Sequence, residues 1–183
     1  MESLKRYQVA IISFAAGIFT LTFIFGFLLQ RQGEQEIPLP TSTIEETVKI
    51  KVFFSSTRED PKEMYCNKTY PVEREVFLQS TINESRLGEL AYLAVKELLK
   101  GPTEQEKRDG FFISINPSTK VQKITIIKGV AAIDFNDILD KNVAGSCKVQ
   151  AIRSEITETL KQFSEIKNVV ILVNGSSEDI LQP

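Results

Sequence analysis

The sequence predicts an α+β domain, a two-layer sandwich of about five strands, mixed or antiparallel, with two main amphipathic helices on one face. Three observations carry this. Apolar or alternating runs at residues 48–55, 69–78, 120–135 and 168–174 have the period and composition of strands. Apolar stripes at three-and-four spacing mark helices at about 84–100 and 146–163. A separate uncharged run at residues 9–29 belongs to neither layer, and the remainder of the 183 residues suffices for one domain with a sizeable core.

Val9 to Leu29 (VAIISFAAGIFTLTFIFGFLL) reads as a single membrane-spanning helix. At 1.5 Å rise per residue it is about 30 Å long, the thickness of a bilayer's hydrocarbon core. Lys5 and Arg6 precede it, whereas Arg31 is soon balanced by Glu34 and Glu36, so residues 1–8 are the expected cytoplasmic end. The expected localisation is therefore the cell membrane, single-pass, with the C-terminal domain extracytoplasmic. A cleaved signal peptide is the rival reading, but it calls for a shorter apolar region ending at small residues, and this run exits through Phe27-Leu28-Leu29-Gln30-Arg31. No cysteine near that exit offers a lipid acceptor. Ser13 with Gly17 and Thr22 with Gly26 have the small-xxx-small spacing of helix pairs, a pattern also ordinary in any spanning helix.

Residues 30–47, polar and carrying Pro38 and Pro40, read as a linker. Val48 to Ser55 alternates and then runs apolar, as a strand entering a core does; a long charged loop follows to Cys66. Thr69 to Leu78 is strand-like, with Pro71 marking an edge or a strand start. Asn83 is the predicted cap of the first helix, which buries Leu87, Leu90, Ala91, Ala94, Val95 and Leu98 and ends at Gly101-Pro102. Thr103-Glu104-Gln105-Glu106 has the form of a capping box for a short helix. Alternation on both sides of Lys128-Gly129 predicts a tight hairpin. Ser146 is the predicted cap of the second helix, with Val149, Ile152, Ile156, Leu160 and Phe163 on its stripe; Asn168 to Asn174 is a strand covered on both faces or central in the sheet. Residues 176–183 read as a polar tail.

Composition closes several function classes. A formal net charge of −2 without a long basic run speaks against nucleic acid. The chain has no histidine, which removes Ser-His-Asp and Cys-His arrangements and the commonest transition-metal ligand. Its two cysteines, Cys66 and Cys147, form no Cys-x-x-Cys pair; in an oxidising compartment they suit one disulfide, worth roughly 4 kcal/mol by chain entropy. Two buried free thiols are the competing reading. Phosphate-binding loops, dinucleotide fingerprints and nucleophile elbows are absent.

The order of motifs resembles the GerMN domain of sporulation and spore germination proteins. The resemblance rests on Val48 to Phe54, Leu98-Leu99-Lys100-Gly101-Pro102-Thr103, Ile115-Asn116-Pro117-Ser118-Thr119, Gly129 to Phe135, Gly145-Ser146-Cys147, Ile156 to Phe163 and Val169 to Gly175, so that residues 48–175 are covered. Asn116 stands before Pro117 where the family often has isoleucine, a departure expected to affect packing, and the module occurs once where some relatives carry it twice. The resemblance implies a noncatalytic extracytoplasmic module used in envelope or sporulation assemblies, similar in shape to ring-building modules.

Asp134, Asp137 and Asp140 form the one acidic cluster that invites calcium or acid/base chemistry, but Ile138 and Leu139 occupy positions where an EF-hand-like loop needs an oxygen ligand and glycine. The structural reading is favoured, so no catalytic, cofactor-binding or metal residue is expected. Glu73-Arg74-Glu75 suits either an ionic ligand or, more simply, a charged edge that blocks unwanted pairing. Asn67, Asn83 and Asn174 head glycosylation acceptor triplets that are incidental in a bacterial family. The sequence thus points to a membrane-anchored interaction module whose partner is another envelope protein or a second copy. The alternative is a binder of cell-wall glycan or a small ligand through the polar loops at 56–68 and 103–119, for which the absence of tryptophan leaves no evident aromatic platform. A hydrolase working through carboxylates alone is the third class.

Overall fold

The computed structural model describes residues 45–60, 65–79 and 85–182. The segment read as a membrane span, at 9–29, lies outside them; among the described residues no helix is long and apolar enough to cross a membrane. In chain order come β1 (Glu45–Ser56), β2 (Tyr70–Gln79), α1 (Arg86–Leu99), the short α2 (Glu104–Arg108), β3 (Phe111–Phe112), β4 (Val121–Ile127), β5 (Val130–Phe135), a 3-10 turn (Asp137–Leu139), α3 (Ser146–Lys161) and β6 (Asn168–Val173).

The class is α+β. The strands divide into two three-stranded sheets, ordered β2-β1-β3 and β4-β5-β6, where the sequence suggested one sheet of about five. β1 pairs antiparallel with both neighbours, setting Lys49 opposite Glu75 and Lys51 opposite Glu73. β4 and β5 form the expected hairpin, in which Lys128 and Gly129 both have positive φ, as a two-residue primed turn requires. β5 and β6 run parallel, and the crossover that a parallel pair needs contains α3.

The periodicity finds the buried faces of both helices, with Leu87, Leu90 and Phe163 only half-buried at their margins. Ala91, Ala94, Val95 and Leu98 of α1 are buried, as are Val149, Ile152, Ile156 and Leu160 of α3. All but Ala94, which packs with Ile50 and Val76, meet Val52 and Phe54 from the first sheet and Ile133 and Phe135 from the second in one cluster. Full burial of each large side chain contributes about 1.5–3 kcal/mol.

Several boundaries shift for local reasons. Ser85 caps α1, its hydroxyl accepting from Gly88 N; Asn83 lies outside the described residues. Gly145, at φ +89°, precedes α3, so Ser146 is its first residue and supplies no cap. Thr103 and Glu106 do close the capping box of α2. β1 begins at Glu45, inside the segment read as linker. The polar tail is half right: Ile180 and Leu181 are buried in the main cluster, and Leu181 N donates to Asp140 Oδ1 at 2.8 Å.

Candidate interaction surfaces

β1 ends in Ser55 and Ser56, which pair with Phe112 and Phe111. The chain then leaves through a loop held to the body by Thr57 N donating to Gly110 O at 3.0 Å and, farther on, by the Cys66–Cys147 disulfide, with Cα atoms 4.9 Å apart. The pair expected from cysteine count is thus joined. Between this loop, residues 112–117 and the first turn of α3 lies a cleft of about 440 Å³. Its wall combines Ser55, Ser56, Ser114 and Asn116 with Phe112, Ile113 and Ile115, and Asp60, Tyr65, Lys68 and Lys148 stand around it. A volume of this size lies within the range of small-molecule sites.

Behind that wall sits Glu155, fully buried on α3. Its carboxylate accepts from Ser55 Oγ at 2.9 Å and from Ser114 N at 3.0 and 3.1 Å, tying the end of β1 to the segment after β3. Burial pushes its pKa up to about 7, against the pull of those hydrogen bonds. Farther along the same helix face, Thr159 Oγ1 accepts from Phe53 N at 3.1 Å. Gln162, just past the helix, accepts from Lys51 N at 2.7 Å and donates to Lys51 O at 2.6 Å. Its amide therefore completes the backbone pairing that a neighbouring strand would make. Three polar side chains, two on α3 and one at its C-terminal cap, thus line the edge of β1 that β2 leaves open, beside the two residues that β3 pairs. Sequence reading missed them because a search for apolar stripes passes over polar residues turned inward at i, i+4 and i+7.

The residues singled out in the sequence find structural work. Asp134 Oδ1 accepts from Gly175 N, Asp140 from Leu181 N, and Asp137 opens the 3-10 turn; the three are spread over separate tasks. Among the described residues no group of three or more acids and cysteines could hold a metal ion. Arg74 forms a bidentate pair with Glu106 at 2.6 and 2.7 Å, and this guanidinium holds the Glu106 carboxyl below the usual carboxylate range. Glu73 and Glu75 face the lysines of β1, as a charged edge does. Asn116 does more than fill space: its Nδ2 donates to Ile138 O and Lys141 O, and its Oδ1 accepts from Lys148 Nζ at 3.3 Å.

A second surface is the outer face of the β4-β5-β6 sheet. The register sets Ile127 beside Val130 and Ala132 beside Val170, with Lys123 and Asp134 at one end. Ile127 is 63% exposed, Val130 36% and Val170 37%. Alternate residues of the same strands, such as Ile124, Ile133 and Ile171, face the core.

A family model described as sporulation and spore germination, Germane, matches residues 51–179, well over half of the chain. The chain belongs to this family. The GerMN resemblance read from the motif order is therefore correct, and the Germane match extends past the expected end at residue 175 toward the buried Ile180 and Leu181. Among solved structures, the Germane domain is similar to a protein described as a lipoprotein from Clostridium perfringens, at 15% identity and TM-score 0.47 over 75% of this chain and 80% of that one. It is similar to the first GerMN domain of the sporulation protein GerM from Bacillus subtilis, at 24% identity and TM-score 0.46 over 70% and 84% of the two chains. The tandem GerMN domains of GerM match at 24% identity and TM-score 0.44 over 71% of this chain and 40% of that one. No curated protein matches the chain.

Proposed function

We propose that this protein is a noncatalytic assembly module of a bacterial envelope, serving sporulation or germination. In this reading residues 9–29 anchor it in the membrane, the Germane domain stands outside the cytoplasm, and the outer face of the second sheet docks a second copy. The observation that carries the reading is the exposed apolar strip of Ile127, Val130 and Val170 on a regular sheet. A two-fold axis through the strip would set these β-branched side chains against their own kind in a second copy. Three residues supply far less than the ~1,200 Å² of a stable interface, so the free domain is expected to be monomeric. Confinement of anchored copies to one membrane raises their effective concentration and makes a weak contact count.

The test is Val170→Cys in the full-length protein in its membrane, oxidised mildly. Both native cysteines are taken up in the disulfide, so the new thiol is the single free one. A covalent dimer that Ile127→Asp abolishes is the expected result. A thiol that reacts with maleimide yet yields only monomer, or that couples to a different protein, overturns self-association through this face.

A further inference from the structure

The cleft beside the disulfide has a composition that the sequence did not reveal. Two aromatic side chains from distant parts of the chain meet on it, Tyr65 and Phe112, and both are left open, at 50% and 39% exposure. An exposed ring on a monomer's convex surface is unremarkable, but two on one concave wall offer an apolar platform. Beside them stand short polar groups. Ser56 Oγ accepts from Glu59 N at 3.3 Å and keeps its proton as a donor, and Lys148 Nζ spends one donor on Asn116 Oδ1 and has others to give.

Charge narrows the class of ligand. Lys68 Nζ lies 3.8 Å from the centre of the Tyr65 ring and Lys148 gives one of its donors to Asn116, while Asp60 on the same wall offsets part of their charge. The Glu155 carboxyl lies directly behind Ser55 and Ser114. A phosphate or an acidic peptide would find no arginine on the wall to clamp it, and the Asp60 carboxylate beside it. The two open rings and the short polar groups suit an uncharged molecule with one apolar face and a periphery of hydroxyls or amides.

We propose that this cleft binds a short neutral saccharide, a pyranose ring stacking its C–H face on Phe112 or Tyr65 while its hydroxyl or acetamido groups bond Ser56 and Lys148. The site is independent of the outer sheet face, so either proposal can fail alone. The disulfide is part of the site, because it fixes the loop bearing Tyr65 to the first turn of α3.

Saturation-transfer NMR on the full-length protein in detergent tests this, with cellotriose and triacetylchitotriose as the probes. Saturable transfer to ring protons of at least one probe is expected. Tyr65→Ala and Phe112→Ala should each weaken it about tenfold, whereas Phe77→Ala, which removes a 65%-exposed ring elsewhere, should leave it unchanged. Tyr65 lies in a loop, so its variant remains interpretable if Phe112→Ala disturbs the β3 pairing; unfolding midpoints of both variants are measured alongside. No transfer to either probe, transfer unaffected by Tyr65→Ala, or competition by an acidic peptide in place of sugar overturns the proposal.

Discussion

Glu155 is a carboxyl placed where a protein can least afford an anion, and its hydrogen bonds from Ser55 and Ser114 offset that only in part. The sign of its effect on stability follows. An unfolded glutamate titrates near 4.5 and this one at about 7, so the folded state holds a proton that the unfolded state has released between those values. Its contribution is whole below pH 4.5 and is lost as pH rises through 7, an effect of at most about 3 kcal/mol. Urea unfolding at pH 5 and pH 8 should show the wild type more stable at the lower value. Glu155→Gln, which cannot ionise, should remove most of that difference and be the more stable of the two at pH 8. A wild-type profile matching the variant's at both pH values would mean that the carboxyl is not shifted.

Among the elements, the β4–β5 hairpin was the most legible, because Lys128-Gly129 interrupts an alternating pattern at the one place where a two-residue turn fits. Its glycine is also required by space: at φ +80° an added Cβ would come within 3.2 Å of Glu165 O, on the segment leading to β6. Gly129→Ala should therefore cost about 1–2 kcal/mol in a denaturant titration, without changing the fold. The helices were legible as apolar stripes, yet α3 carries a second message in Glu155, Thr159 and Gln162 that apolar periodicity cannot express. β3 was not legible at all. Two residues are too few for a period to show, and Phe111–Phe112 is a strand only because Ser55 and Ser56 lie beside it.

At the scale of the molecule, the α+β class and the cysteine pair could be read in the chain, because burial needs a pattern and two cysteines leave one pairing. The loops that build the cleft were legible as a ligand-binding alternative, at 56–68 and 103–119, but its aromatic wall was not, since Tyr65 and Phe112 come together only through folding. The tail misled because Ile180 and Leu181 are a lone apolar pair among polar neighbours, buried by a cluster from distant elements and tied there by the bond from Leu181 N to Asp140, 41 positions away. The disulfide spans 81 positions, and replacing both cysteines by serine should lower stability by about 2–4 kcal/mol, read from urea midpoints with Ellman's reagent finding no free thiol in the unfolded wild type. A further consequence lies in time. The polar side chains that cover the edge of β1 lie 100 to 111 positions later in the chain. At about 5–20 residues per second, a ribosome takes roughly 5–20 s to make that interval. Throughout it, β1 and β2 can already pair while the far side of β1 stays unclothed, so the nascent protein carries an open strand edge until α3 has been made. The finished fold hides a hazard that its own order of synthesis creates.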